Sequence, residues 1–378
     1  MTSAPTRRDL LGAGAAIAAG FPMIASARAH RPPGTEARYS RRATELVRRS
    51  LVIDMLAPLK IDANTTFSSA RLSDRDAAEF LSSGITGFHH SFGLGGPDAY
   101  QEALTYLATW GNFVARNPHV FCGIGSVADL VRAKEDRRCG VIMGLQNAEQ
   151  FRNPNDVRTF YQIGLRCAQL TYNSQNLIGS GSTDRIDGGV SDFGEAIIKA
   201  MNDVGMLIDV SHSGDRTTLD AIAMSPQPIA ITHSNCRALV DHPRCKTDEA
   251  IVALAAKGGV MGITGVRNFV SKTEPTNIGS IVDHIDHIVK LVGIDHVGIG
   301  SDADLNGYDA TPAAFNKRLR DAYKTSYAFR EKIDTDGFGQ PMKMYNLTEE
   351  LIRRGYSDTN VEAILGGNFR RLLADVWR

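Results

Sequence analysis

Eight short apolar runs, each closing on polar residues, recur along the chain with amphipathic stretches between them. They are LVIDML (51–56), GITGFHHSF (84–92), CGVIMGLQN (139–147), LRCAQLTYN (165–173), GMLIDVSHS (205–213), PIAITHSN (228–235), GVMGITGV (259–266) and HVGIGSDAD (296–304). Runs of this length and composition predict buried strands. The intervening DFGEAIIKAMNDVG, DRTTLDAIAMS, TDEAIVALAAKG and NIGSIVDHIDHIVKLVG place apolar residues at helical spacing, and most stop at glycine. Strand and helix alternating eight times predicts a parallel sheet, most economically a closed (β/α)8 barrel. An open doubly wound sheet is the alternative, but no GxGxxG opens a helix after a strand. A further apolar run, VFCGIGSV (120–127), is expected to flank the barrel as an insertion.

Three segments stand outside this alternation. TEARYSRRATELVRRS (35–50) is a basic helical pattern whose charges read as a solvated face. Residues 305–341, rich in tyrosine and charge, form a long excursion after the eighth strand, either a surface insertion or a lid. At the start, paired Arg7 and Arg8 precede an alanine-rich apolar run and small residues at Ala27 and Ala29. That is the pattern of a twin-arginine export signal cleaved near Ala29. The other reading, a membrane anchor, needs about 20 apolar residues, and this run is shorter and broken by Gly and Pro. The expectation is a signal peptide over 1–29 and a single soluble barrel domain over 30–378, exported to the periplasm.

Charge and cysteine content narrow the partners. Lysine plus arginine (42) equals aspartate plus glutamate (42), so net charge draws the chain to neither nucleic acid nor an anionic membrane. A small ligand is expected. The five cysteines include no CxxC pair, and Cys122, Cys139 and Cys167 lie in or beside apolar runs, where cysteine acts as a small hydrophobe. No disulfide framework is expected.

In a barrel of this type the chemistry sits at the C-terminal ends of the strands. That rim would hold Asp54 or its neighbours, His89 and His90, Gln146, Tyr172 and Asn173, His212, His233, and Asp302 or Asp304. Two histidines and a carboxylate on one rim are a ligand set for zinc with a position left open for water.

Four stretches, MNDVGMLIDVSHSG, ITHSNCRALVDHPR, HVGIGSDAD and the C-terminal NLTEELIRRGYSDTNVEAILGGNFRRLLADVW, resemble the membrane (renal) dipeptidase family of zinc metallopeptidases, amidohydrolase-like barrels. The resemblance runs from about residue 40 to the end. It implies that His212 and His233 bind the more buried of two zinc ions, that Arg244 grips the substrate carboxylate, a task for a planar bidentate donor, and that Asp302 orients the attacking water and moves its proton. It also implies a homodimer. Other positions depart from the family pattern. Leu56 and Pro58 replace a His-x-Asp pair that ligates the second zinc, Gln146 replaces the bridging glutamate, and Tyr172 replaces a substrate-contacting histidine. A neutral amide is a poor bridge between two cations because it brings no charge to offset their repulsion.

The expected site is therefore a single zinc on His212 and His233, with Asp302 or Gln146 completing the shell. Asp302 acts as base, Tyr172 donates to the oxyanion, and Arg244, Tyr172 and Asn173 hold the substrate. His89 or His90 is a possible substitute ligand, weighed against one packed and one helix-facing histidine. The leading function is an exported hydrolase of a dipeptide or similar small amide. The alternatives are a non-hydrolytic or repurposed barrel that binds a peptide or amino-acid derivative, and a structural role in the cell envelope.

Overall fold

A computed structural model describes residues 38–59, 72–321 and 323–378, and these fall in one compact unit. The expected export signal and its boundary at residue 30 lie outside the described residues. The strands are β1 (Ile53–Asp54), β2 (Gly87–Phe92), β3 (Phe121–Ile124), β4 (Cys139–Leu145), β5 (Cys167–Gln169), β6 (Leu207–Asp209), β7 (Ala230–Ser234), β8 (Val260–Ile263) and β9 (Val297–Ile299). All pairings between them are parallel, and β2 against β4 closes the ring β1-β2-β4-β5-β6-β7-β8-β9. The eight expected strands are thus the barrel.

β3 is the flanking run. β2 occupies one edge of β4 from Gly140 to Leu145, so β3 and β5 share the other: β3 along Cys139–Ile142 and β5 at Gly144–Leu145. A strand has two edges, and β3 therefore lies outside the ring as an insertion.

Alternation along each strand explains the near-continuous apolar runs. Ile53, Ile142, Cys167, Leu207, Ala230 and Val260 form one buried cluster with Phe369, Leu373 and Trp377 of the C-terminal segment. Their neighbours Val141, Ala168, Ile208, Ile231 and Met261 join the larger cluster between barrel and helices. Both faces of each barrel strand are buried, as in other all-parallel sheets. The helix Asn368–Val376 therefore packs its apolar face against the inward cluster. Gly298 makes this possible, since a Cβ there would stand 2.6 Å from the Phe369 ring.

Helix ends follow the chemistry read from the sequence. The Ser191 hydroxyl accepts from Gly194 N–H to start Asp192–Val204, and Gly205 ends it at φ 78°. The charges of the basic helix Arg41–Arg49 form the expected solvated face, opposite a buried apolar stripe. Ala43, Leu46 and Val47 are buried, while Arg42 pairs with Asp358 at 2.7 Å and Arg49 with Glu362 at 2.6 Å. Exposed pairs of this kind contribute little each, so the apolar stripe is what seats the helix. All five cysteines are free. No helix among the described residues is long and apolar enough to cross a membrane.

Candidate active site

His212 follows β6 and His233 lies in β7, and their Nε2 atoms face each other at 3.0 Å. The register of β7 against β8 shifts between Ile231 and Ser234, an irregularity of the kind that re-aims a side chain beside a functional site. Each ring is held from behind. His212 Nδ1 is 2.7 Å from the Asn173 amide oxygen and donates to it. His233 Nδ1 is 2.8 Å from Thr232 Oγ1. That hydroxyl gives its proton to Asp209 Oδ2 at 2.6 Å, so it accepts from the imidazole. Asp209 also accepts from the Ser211 hydroxyl and from the Ser211 and Thr232 amides.

With both Nδ1 atoms committed as donors, both Nε2 atoms present lone pairs. Burial, then the nearby Arg244, holds both imidazoles far below the usual histidine pKa, so neither carries a second proton at neutral pH. Two buried lone pairs at 3.0 Å repel unless a cation lies between them. Two nitrogen ligands of one tetrahedral zinc are about 3.3 Å apart for bonds of about 2.0–2.1 Å. The pair fits such an ion with a small relaxation.

His212 opens onto a cavity of about 200 Å³ that Gln146, Tyr172 and Asp302 also line. The Asp302 backbone is left-handed, with φ 56°, and its N–H donates to Leu56 O at 2.8 Å. Burial pushes the Asp302 carboxyl up to about 7, against the pull of Arg244. Tyr172 stacks on His212 with centroids 4.3 Å apart, and its hydroxyl bonds that of Tyr323. Gln146 Nε2 donates to Ser91 O at 3.1 Å.

The far wall comes from the 305–341 excursion, through Tyr308, Leu319, Tyr323, Tyr327, Phe329 and Ile333. The excursion is tied to the β8 side of the barrel by bridges Val266–Asp334 and Asn277–Asp336. It covers the site as a lid does, rather than standing off as a surface insertion. Arg244 is fully buried and does not line the cavity. Its Nη1 donates to Ser211 O and its Nη2 to His233 O at 3.3 Å, and its guanidinium lies 5.5 Å from the Phe269 centroid.

A family model for membrane dipeptidases, peptidase family M19, matches residues 40–323. The chain belongs to the membrane dipeptidase family. It is 31% identical over 242 residues to the dipeptidase VerJ of Clonostachys rogersoniana, an alignment covering 63% of this chain and 56% of that protein. It is 29% identical over 252 residues to the dipeptidase TcpJ of Claviceps purpurea, covering 66% and 53%. The chain thus spans just over half the length of these curated relatives. Among solved structures, an amidohydrolase from Pseudomonas aeruginosa matches at 30% identity and TM-score 0.77, over 89% of this chain and 99% of that one. PvdM of the same organism, described as a probable dipeptidase, shares the fold at 23% identity and TM-score 0.74, over 88% and 97%.

At two of the departing positions the side chains are hydrocarbon and carry no donor atom. Leu56 is buried and Pro58 lines the cavity. Among the described residues no group of three or more His, Cys, Asp or Glu is placed to hold an ion. Of the two β2 histidines, His90 packs against the helix Ala99–Arg116, its ring 4.3 Å from Trp110 and 5.5 Å from Tyr106. His89 donates from Nδ1 to Met55 O at 2.9 Å, and its Nε2 has no partner among the described residues. Gly144 leaves room for that ring, since a Cβ there would stand 1.7 Å from His89 Nε2. Neither histidine lines the cavity.

Sequence reading placed Asn173 at the substrate; in the structure its Oδ1 accepts from His212 Nδ1, and it is not among the residues that line the cavity. The same reading missed Asp209 and Thr232, although Asp209 stands three residues before His212 in the same strand end. Asn173→Gly tests the role, because glycine accepts the φ of 58° found there. Loss of the acceptor is expected to weaken metal affinity about 10- to 100-fold, as removal of such orienting partners does. Asn173→Asp should restore it, both read by chelator competition.

Proposed function

We propose that the protein is a one-metal hydrolase of small amides, of which dipeptides are the nearest class. The carrying observation is the facing pair of neutral imidazole Nε2 atoms beside the half-buried Asp302 carboxyl. His212 and His233 would hold the ion, and Gln146 and Asp302, which line the cavity onto which His212 opens, would supply a further donor. When bound, zinc supplies a Lewis acid for the scissile carbonyl and lowers the pKa of a bound water to about 7. Asp302 takes the proton from the attacking water and delivers it to the leaving amine. The Tyr172 phenol, kept protonated by burial, donates to the developing oxyanion. The lid residues exclude bulk water from the reacting carbonyl. Names of relatives as dipeptidases support this activity.

The same reading places the mature protein in the periplasm, on the strength of Arg7, Arg8 and the run up to Ala29. It takes the protein to be a homodimer, as the resemblance implies. A second reading, a binding protein without turnover, draws on Leu56, Pro58 and Gln146 at positions where the resemblance implies ligands.

Metal content separates the two. Elemental mass spectrometry of protein purified without added metal should give about one zinc per chain in wild type. None should remain in His212→Ala with His233→Ala. A folded wild type that neither retains nor takes up zinc would remove the hydrolase reading and leave the binding one.

A further inference from the structure

On the hydrolase reading, we propose that Tyr323 of the lid is a positioning residue for the reaction: its phenol donates to the Tyr172 hydroxyl and holds the Tyr172 proton toward the developing oxyanion. The lid then completes the site as well as shielding it.

Three observations carry this. First, the Tyr172 ring has little room to turn. It lies on the His212 ring at an interplanar angle of 21°, and Gly93 stands so near that a Cβ there would come within 2.9 Å of it. Both tyrosines line the same cavity as His212 and Asp302. Second, the lid meets this strand end at two consecutive residues. The Tyr323 and Tyr172 hydroxyls bond each other. Next along the lid, Lys324 Nζ donates to Thr183 O at 3.0 Å, and Thr183 donates from N and from Oγ1 to Asn173 O, each at 2.8 Å. Residues 323 and 324 are thus registered against residues 172 and 173, and Asn173 is the residue that orients His212. Third, counting protons leaves one donor over. Two phenols carry two O–H groups, and the bond between them, in which either can donate, uses one. With the Tyr172 proton turned to the oxyanion, the proton between the two oxygens is that of Tyr323.

A phenol that accepts one hydrogen bond becomes a better donor of the next, because each bond polarises the other in a low-dielectric site. Burial raises the pKa of both phenols, so both keep their protons at neutral pH. The Tyr323 ring packs beside Tyr327 and Phe329, with centroids 4.6 and 5.4 Å away. Those ring contacts do not need its hydroxyl, so Tyr323→Phe removes the bond to Tyr172 and keeps the lid.

The test compares Tyr323→Phe, Tyr172→Phe and the double variant with wild type, all as full-length protein supplied with zinc. Cleavage of L-Ala-L-Ala and L-Ala-D-Ala is followed by mass spectrometry. Binding of a phosphinate analogue of Ala-Ala, which presents a tetrahedral oxyanion and is not cleaved, is followed by calorimetry. Tyr323→Phe should lower kcat about tenfold, the scale of one net hydrogen bond, and leave KM within about twofold. Tyr172→Phe should lower kcat about 10²-fold, as loss of an oxyanion donor does. The double variant should fall no more than about threefold below Tyr172→Phe, since Tyr323 acts only through Tyr172. An unchanged kcat in Tyr323→Phe, a change confined to KM, or a full tenfold loss repeated on top of Tyr172→Phe overturns the proposal and leaves the hydrolase intact. If neither dipeptide is cleaved, the hydrolase reading fails and phosphinate binding decides alone. Binding about tenfold weaker in Tyr323→Phe, with that of the dipeptides within about twofold, supports the pair. Equal phosphinate binding, or none in wild type, overturns it.

Discussion

Asp302→Asn is expected to lower kcat on any amide the protein cleaves by about 10²- to 10⁴-fold, the usual contribution of a positioned acid–base group. The carboxyl sits in the cavity beside His212, on a left-handed residue anchored to Leu56 O. Burial raises its pKa to about 7. It acts as base only when ionised, so kcat/KM should climb with pH through a limb at about 7 or below. The limb moves lower with the ion bound, because a nearby cation favours the carboxylate. The Asn variant should lack that limb and keep its zinc. Loss of zinc instead would make Asp302 a ligand rather than the base.

The same shift has a consequence for stability. The folded-state pKa lies above the value of about 3.9 expected for an unfolded chain. The folded form therefore holds the proton more tightly, and stability falls as pH rises from about 4 to about 7, with the penalty complete above that. Asp302→Asn removes the penalty. In metal-free protein it should be at least as stable as wild type at pH 8 and gain nothing at pH 4, measured by urea unfolding.

Lys343→Met should cost about 3–5 kcal/mol, the penalty for stranding one partner of a buried ion pair. Lys343 and Asp54 side chains are both 0% exposed and 3.6 Å apart. Lys343 Nζ also donates to Ser301 Oγ at 2.9 Å, Ala303 O at 3.2 Å and Asp304 O at 3.1 Å. Asp54 accepts from Ser301 N at 2.7 Å and from its hydroxyl at 2.6 Å. This network grips the chain on both sides of Asp302. Lys343 is accordingly a positioning residue, and its loss should lower kcat as well as stability. The double change Asp54→Asn with Lys343→Met should cost less than the sum of the two, since it strands no charge. A loss below about 1 kcal/mol for Lys343→Met by guanidinium unfolding would show the pair to be marginal.

Much of this was legible in the chain because it rests on local periodicity. Strands buried on both faces read as continuous apolar runs, and helices between them read at a spacing of three and four. Gly205 marks a helix stop whatever lies around it, since φ 78° is a backbone property. The histidines stood out for a related reason, in that two strand ends with the same design must share a rim once the sheet closes. The excursion at 305–341 was visible as an interruption, but its length and tyrosines alone left insertion and lid equally open.

Other assignments needed neighbours that are distant in sequence. The direction of Arg244 depends on carbonyls at Ser211 and His233 and on the Phe269 ring. Asn173 read as a substrate contact because a polar residue at a strand end can face either the ligand or another side chain. Only closure brought it to His212. Lys343 carries no local signal in the sequence, yet it lies 289 positions from Asp54 and is buried with it.

The sequence by itself determined the barrel, the flanking strand, the order of the elements and the histidine pair. Those follow from residue type and spacing, which act over a few residues. Only the tertiary structure decided which of two adjacent histidines enters the barrel, what holds each imidazole, that the lid lines the cavity with rings, and which carbonyls the buried arginine bonds. Hydrogen bonds and desolvation act over a few ångströms in space, and closing the barrel sets which groups come that near.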